Sequence, residues 1–207
     1  MLWKDSGGGD FQQAPVGTHL GICIKIIDLG TQDGEYQGRP NSKRQCIISF
    51  ELPNEMMDDE DGKPGDKPFI VSRFYTSSLS DKANLRHHLE NWRGRAFTKE
   101  ELNGFEAKNI LGKPCLLSLT EDDKKKTRIT GIMAVPKGTK VPMAYNELVF
   151  FSLDEFDSKV FEGLSDGIKK MIVASPEYRA VTAPKPAKLE NAGARGGFDD
   201  MDEDVTF

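Results

Sequence analysis

Cysteine is scarce in this 207-residue chain, and none of it has metal-site spacing. Cys23, Cys46 and Cys115 are far apart, odd in number and each set in an apolar run. They read as small buried hydrophobes of a reducing compartment. Long apolar runs are missing as well. No stretch approaches the roughly 20 residues that span a bilayer, and the opening Met1-Leu2-Trp3-Lys4-Asp5-Ser6-Gly7-Gly8-Gly9 lacks the apolar centre of a signal peptide. The expected location is cytoplasmic, with no membrane partner.

Catalytic constellations are equally sparse. No glycine motif of the P-loop or dinucleotide type is present. His19 is isolated, while His87 and His88 are adjacent and on a helix point about 100° apart, unlike an i, i+4 metal pair. Paired acids fall in loops and in the last residues, with no histidine or base set beside them by spacing. The sequence therefore assigns no catalytic residue, no metal ligand and no cofactor, and an enzyme is not the expectation.

Charge is abundant but unevenly spread. The formal net charge is -5. Between Glu190 and Phe207, six acids (Glu190, Asp199, Asp200, Asp202, Glu203, Asp204) face one base, Arg195, which accounts for all of it; the other 189 residues carry 27 bases and 27 acids. A neutral body can still hold a basic groove, so the low isoelectric point does not argue against nucleic acid. So acidic a segment cannot bury enough surface to fold alone and is expected to be a disordered tail, with Phe207 as its apolar anchor for a partner.

Period-two alternation marks the strands. Leu20, Ile22, Ile24 and Ile26 give Thr18 to Leu29 one buried face, and Gly30 ends it. Lys43 to Leu52 sets Cys46, Ile48, Phe50 and Leu52 against Lys43, Gln45, Ile47, Ser49 and Glu51; Phe69 to Thr76 is rich in aromatic and β-branched residues. Thr31 to Ser42 and Pro53 to Pro68, rich in Gly, Asp, Asn and Pro, read as flexible, solvated connections. Aligning Gly62 with the turn glycine of a calcium loop puts Met57 and Pro68 where carboxylates are needed, so the acidic run there is not a calcium site. Ser80 is the expected cap of a helix with the stripe Leu85, Leu89 and Trp92, stopped by Gly94. Thr98 and Glu101 form a capping box, flanked by the Phe97 and Leu102 staple. Cys115 to Thr120 and Thr127 to Val135 are two more strands, joined by a charged turn ending in Lys124-Lys125-Lys126.

Three strands, a helical connection and two strands is the order of an OB-fold, a five-stranded Greek-key barrel. The expected class is thus mainly β with added helices. A further capping box, Ser152 to Glu155, introduces C-terminal helices whose stripes (Phe156, Val160, Phe161, Leu164; Ile168, Met171, Ile172) are expected to dock on the barrel's outer wall. Residues 1–14 read as a flexible N-terminus, 15–180 as the OB-fold domain with these helices, and 181–207 as linker and acidic tail.

Sequence-independent binding of single strands needs a basic track for phosphates and aromatic plates for bases. If the third strand buries Ile70 and Phe74, then Arg73 and Tyr75 join Lys25, Lys43, Gln45 and Arg128 along one groove. Tyr36, Arg39, Arg44, Lys124, Lys125 and Lys126 reach it from the two loops that OB-folds use on oligonucleotides. Arg93 and Arg95 flank Gly94 in a turn suited to phosphate, while Trp92 and Phe97 are read as core and staple.

Several segments resemble a family of bacteriophage single-stranded DNA-binding proteins: Ala14-Pro15-Val16-Gly17-Thr18-His19, Lys82-Ala83-Asn84-Leu85-Arg86, Trp92-Arg93-Gly94-Arg95-Ala96-Phe97-Thr98, Leu111-Gly112-Lys113-Pro114, Phe151-Ser152-Leu153-Asp154-Glu155-Phe156-Asp157 and Ser175-Pro176-Glu177-Tyr178. The resemblance covers most of the chain. It implies an OB-fold that coats single-stranded DNA during phage DNA replication or recombination, in the host cytoplasm. The tail is similar to those of bacterial and phage single-stranded DNA-binding proteins, whose terminal acids and Phe recruit replication and repair proteins. Here Met201 interrupts the acids and Val205-Thr206 separates them from Phe207. By that likeness Asp199, Asp200, Asp202, Glu203, Asp204 and Phe207 recruit replication or recombination proteins, or compete with DNA for the groove. The alternatives are a metal-dependent nuclease or other DNA-processing enzyme using Asp58, Asp59 and Asp61, and a scaffold whose barrel binds only protein. Truncation after Gly197 is expected to raise DNA affinity at low salt and abolish partner capture. Gel shifts and pull-downs that leave both unchanged would reduce the tail to a solubiliser.

Overall fold

The computed structural model describes residues 12–59 and 61–183, and the tail residues Asp199 to Phe207 lie outside them. Its main element is a six-stranded sheet. Strands β1 (Gly17–Tyr36), β2 (Arg39–Asp58), β3 (Pro64–Thr76), β4 (Pro114–Glu121) and β5 (Thr127–Met133) lie in the order β3-β2-β1-β4-β5, each antiparallel to its neighbour. Strand β6 (Val149–Phe151) pairs in parallel with Lys25 to Ile27 of β1. Helices α1 (Asn84–Arg93) and α2 (Lys99–Asn103) connect β3 to β4, and α3 (Ser158–Glu162), α4 (Asp166–Ala174) and α5 (Pro176–Thr182) follow β6. The sheet is open. Among the described residues no ladder joins β3 to β5; the Arg73 guanidinium crosses between them to the Ile129 carbonyl. None of the described helices is long and apolar enough to cross a membrane.

The sheet is covered on both sides. Ile26, Ile48, Phe50, Leu52, Leu117 and Ile129 pack with Leu89 and Trp92 of α1 in an inner cluster. There the Trp92 ring tilts on Phe50 at 5.5 Å and donates its N–H to the Pro114 carbonyl (2.7 Å), as a core residue should. Ile27, Leu29 and Ile47 point the other way and pack with Phe151, Leu153, Leu164 and Ile172, so the C-terminal helices do cover the sheet's outer face. Strand β1, expected to bury one face, buries both. Clusters pack on each side of it, and its pairing with β2 slips register between Cys23 and Lys25 and between Asp28 and Gly30. Each such Leu, Ile or Phe contributes about 1.5–3 kcal/mol, which makes the outer layer part of the fold rather than an appendage. Cys23 and Cys115 are fully buried free thiols, and burial pushes Cys23 up to about 12.

Both connections expected to be flexible are largely strand. β1 and β2 stay paired to Tyr36 and Arg39 through a two-residue turn in which Gln37 and Gly38 have φ of 52° and 74°, the type I′ geometry that matches strand twist. The second hairpin continues past Met56 to Asp58, and the Asp59 carboxylate closes its tip by accepting from the Asp61 and Lys63 amides, 2.9 Å each. Composition suggested loops because these arms are held by backbone pairing and not by burial. Two helix starts also move. Ser80 opens a turn, its carbonyl accepting from the Ala83 amide, and α1 begins at Asn84. No helix starts at Ser152: β6 ends at Phe151, a bend and turn follow while Phe151 and Leu153 bury in the outer cluster, and Asp157 caps α3 instead. The Thr98 and Glu101 capping box forms as expected.

Helix α5 closes on β1 at a glycine. Gly30 has φ +70°, and a Cβ there would lie 2.5 Å from the Ser175 side chain. Next to it Glu177 accepts from the Thr31 amide (2.8 Å) and hydroxyl (2.6 Å). Gly30→Ala is expected to lower the unfolding free energy by about 2–4 kcal/mol through backbone strain and overpacking. An unchanged urea midpoint would show that α4 and α5 are not seated on this turn.

Candidate nucleic-acid interface

Strand parity decides what the sheet offers to a ligand, and in β3 it is the reverse of the expected one. Tyr75 is buried (4%), whereas Ile70 and Phe74 are 43% and 50% exposed. Ser72 fixes the assignment, because its hydroxyl donates to Ser49 (2.8 Å) on the face of β2 opposite Phe50. Both faces of this strand carry apolar groups, so alternation alone is ambiguous. The inward choice gives the Tyr75 hydroxyl a partner, His88 Nδ1 at 2.8 Å, which an outward Tyr75 would lack. Tyr75 is therefore no base plate, and burial raises its phenol pKa. Burial and the nearby Arg73 charge lower that of His88. Arg73 lies over the Tyr75 ring at 5.5 Å, on the buried side of the strand.

Most of the arginines in the expected groove are committed internally. Arg44 forks onto Asp28 and reaches Asp154 (3.0 Å), hydrogen bonds that raise its pKa further. Arg93 and Arg95 both hold Glu101, and Arg93 also stacks over Phe97 (4.4 Å) and Phe105 (5.3 Å). Arg128 donates to Asp122 (2.8 Å). Lys25 is half-buried where β6 pairs with β1, and Gln45 is half-buried on β2.

The remaining bases are exposed and, among the described residues, make no ion pair: Arg39, Lys43, Lys124, Lys125 and Lys126. They do not form one track. Arg39 pairs with Tyr36 at the tip of the first hairpin, whereas the lysine turn follows Leu119, which pairs with Gly17 at the opposite end of β1. Gln13 binds the Thr127 amide and Gln12 binds the Asp58 backbone, so the lysine turn shares its end of the sheet with acidic Asp58, Asp59 and Asp61.

What the fold does gather is a cleft of about 530 Å³ at the end of β3, whose lining includes Lys43, Phe74, the buried Tyr75, Thr76, Lys82 and Asn84. An exposed ring and two lysines share the lining, which contains no carboxylate. Phe74 was absent from the sequence-based set because choosing the right face of β3 depends on its cross-strand partners, and Lys82 because it lies in the connection before α1, which only the fold brings beside β3. A second cavity, about 360 Å³, is walled by apolar groups such as Ile26, Leu85, Leu89 and Phe150, and its charged residues are Asp28, Asp154 and Arg44. Its net negative charge suits phosphate poorly. No family model and no curated protein matches this chain. Among the described residues no three His, Cys, Asp or Glu side chains form a group able to hold a metal ion, and Asp59 is engaged in its own turn.

The Arg93, Arg95 and Glu101 corner makes a pH prediction. Bonds from Arg95, the Thr98 amide and Arg93 hold the Glu101 carboxyl well below its ordinary value, to about 2. A depressed carboxylate contributes stability above its unfolded pKa and loses it as pH falls towards the folded one. The corner is therefore expected to stay paired at pH 4 and to loosen towards pH 2. A carbon-13 NMR titration of Glu101 with its midpoint in the ordinary glutamate range would contradict this pairing.

Proposed function

We propose that the protein binds single-stranded DNA without catalysis, along the β2–β3 side of an OB-fold barrel. One observation carries the reading: Phe74, half exposed, lines a cleft with Lys43 and Lys82 and no acid. A phenyl face stacks on any base, contributing about 1–3 kcal/mol per base, and lysines act on phosphates as point charges. Such a site binds strands with little regard for sequence. The strand order, with α1 between the third and fourth strands and its Trp92 in the inner core, supports the OB-fold, as does the approach of β3 to β5 through Arg73. OB-folds take oligonucleotides on the β2–β3 face, where this cleft lies. The resemblance to phage single-stranded DNA-binding proteins supports a coating role in DNA replication or recombination, with the acidic tail as the recruiting segment.

The test is anisotropy of a labelled oligo-dT across a salt series. Binding is expected with a log-log slope of about -0.7 per phosphate neutralised. Phe74→Ala should weaken it roughly tenfold at unchanged slope, whereas Lys43→Ala and Lys82→Ala should flatten the slope. No binding at low salt would favour a protein-binding scaffold. Strand cleavage in magnesium or manganese, lost on replacing Asp58, Asp59 and Asp61, would favour a nuclease.

A further inference from the structure

The chain between β5 and β6, residues 134–148, contains neither helix nor strand over fifteen residues. Loops of that length inside a compact domain are uncommon and usually functional. This one is pinned from below. Glu51 of β2 is completely buried (0%), and its carboxylate accepts from the Tyr145 amide (2.8 Å), the Asn146 amide (2.8 Å) and Asn146 Nδ2 (2.7 Å). A carboxylate withdrawn from water is tolerated only when hydrogen-bonded in this way, so the position of Tyr145 is strongly specified. Yet the anchor holds apolar groups out in solvent: Met143 is 93% exposed and Tyr145 58%. Apolar burial gives no reason to fix an exposed ring. Recognition does, because a plate held in place beforehand saves the cost of ordering it on binding.

The β2–β3 register says where that segment is anchored. Glu51 pairs with Ile70, Ser49 with Ser72 and Ile47 with Phe74, and the Ser49–Ser72 bond together with the outer-cluster burial of Ile47 puts all three pairs on the outer face. The Tyr145 backbone, bonded to Glu51, is therefore anchored at the Glu51–Ile70 pair, where Ile70 is exposed. Phe74 lies four residues further along the same row, about 13 Å away at strand spacing. The loop also carries exposed Lys137 and Lys140. We propose that Tyr145 is a second base-stacking plate for the strand bound at Phe74, and that Glu51 is its positioning residue. The inference rests on the single-stranded DNA reading; the competing occupant of the same ring is a protein surface.

The test uses the full chain and a labelled oligo-dT at low salt. Tyr145→Ala is expected to weaken binding roughly five- to a hundredfold, and Tyr145→Phe, which keeps the ring, to stay close to wild type. Glu51→Gln should weaken binding as well, but add little when Tyr145→Ala is already present, an outcome that general destabilisation would not give. Tyr145→Trp supplies a direct readout, quenching of the new indole as DNA binds. Wild-type binding with no loss in Tyr145→Ala, or an unquenched Tyr145→Trp bound to DNA, overturns this inference alone and leaves Tyr145 to a protein partner. Failure of the wild type to bind overturns the DNA reading itself.

Discussion

Gly30, Arg44 and Leu153 all donate to the carboxylate of Asp28, and Arg44 reaches on to Asp154. Asp28 sits at the second register slip of β1, Arg44 on β2, and Leu153 just beyond β6. One carboxylate, 14% exposed, thus joins the two central strands to the layer that covers them. Its worth lies between a surface ion pair, under about 1 kcal/mol, and a buried pair whose breakage costs about 3–5 kcal/mol. The rest depends on this junction. With β1 covered on both faces, the outer rows of β1 and β2 are taken up by the C-terminal segment, and β3 keeps its outer row in water.

The basic residues divide by type. Arginines other than the exposed Arg39, with planar forks that match carboxylates and carbonyls, are committed to architecture: Arg44 at the layer junction, Arg73 between β3 and β5, Arg93 and Arg95 at the α2 cap, Arg128 in the last hairpin. Lysines at 43, 82 and 124 to 126 stay in solvent as mobile point charges. For the single-stranded DNA binding proposed above, a surface built that way would attract phosphates without reading base edges. It is a chemical reason to expect tolerance of sequence, separate from the fold.

Much of the architecture was legible in the sequence. The order of elements from β1 to β5, though not β6, the inner face of β2, the capping box at Thr98 and the core role of Trp92 follow from periodicity and local chemistry that tertiary packing did not override. Three kinds of information were not. The extended arms beyond Gly30 and Leu52 are polar, and only cross-strand pairing makes them strands. The outward turn of Phe74 depends on whether Tyr75 finds His88, a contact between elements. The burial of Glu51 depends on amides nearly a hundred residues later in the chain. The candidate site was less legible than the fold for the same reason, since its members come from segments that only the register brings together.

The gap between β3 and β5 has a mechanical side. Relative movement of two paired strands breaks a row of backbone bonds, whereas among the described residues movement across this gap opposes one Arg73 bond to a carbonyl, a net contribution of about 1 kcal/mol or somewhat more for a charged donor, plus side-chain packing. The sheet therefore has a compliant joint along one edge and stiff, laddered pairings elsewhere. Curvature can adjust there while the layer junction at Asp28 stays fixed, so the outer row of β3 belongs to the side of the molecule best able to conform to what lies on it.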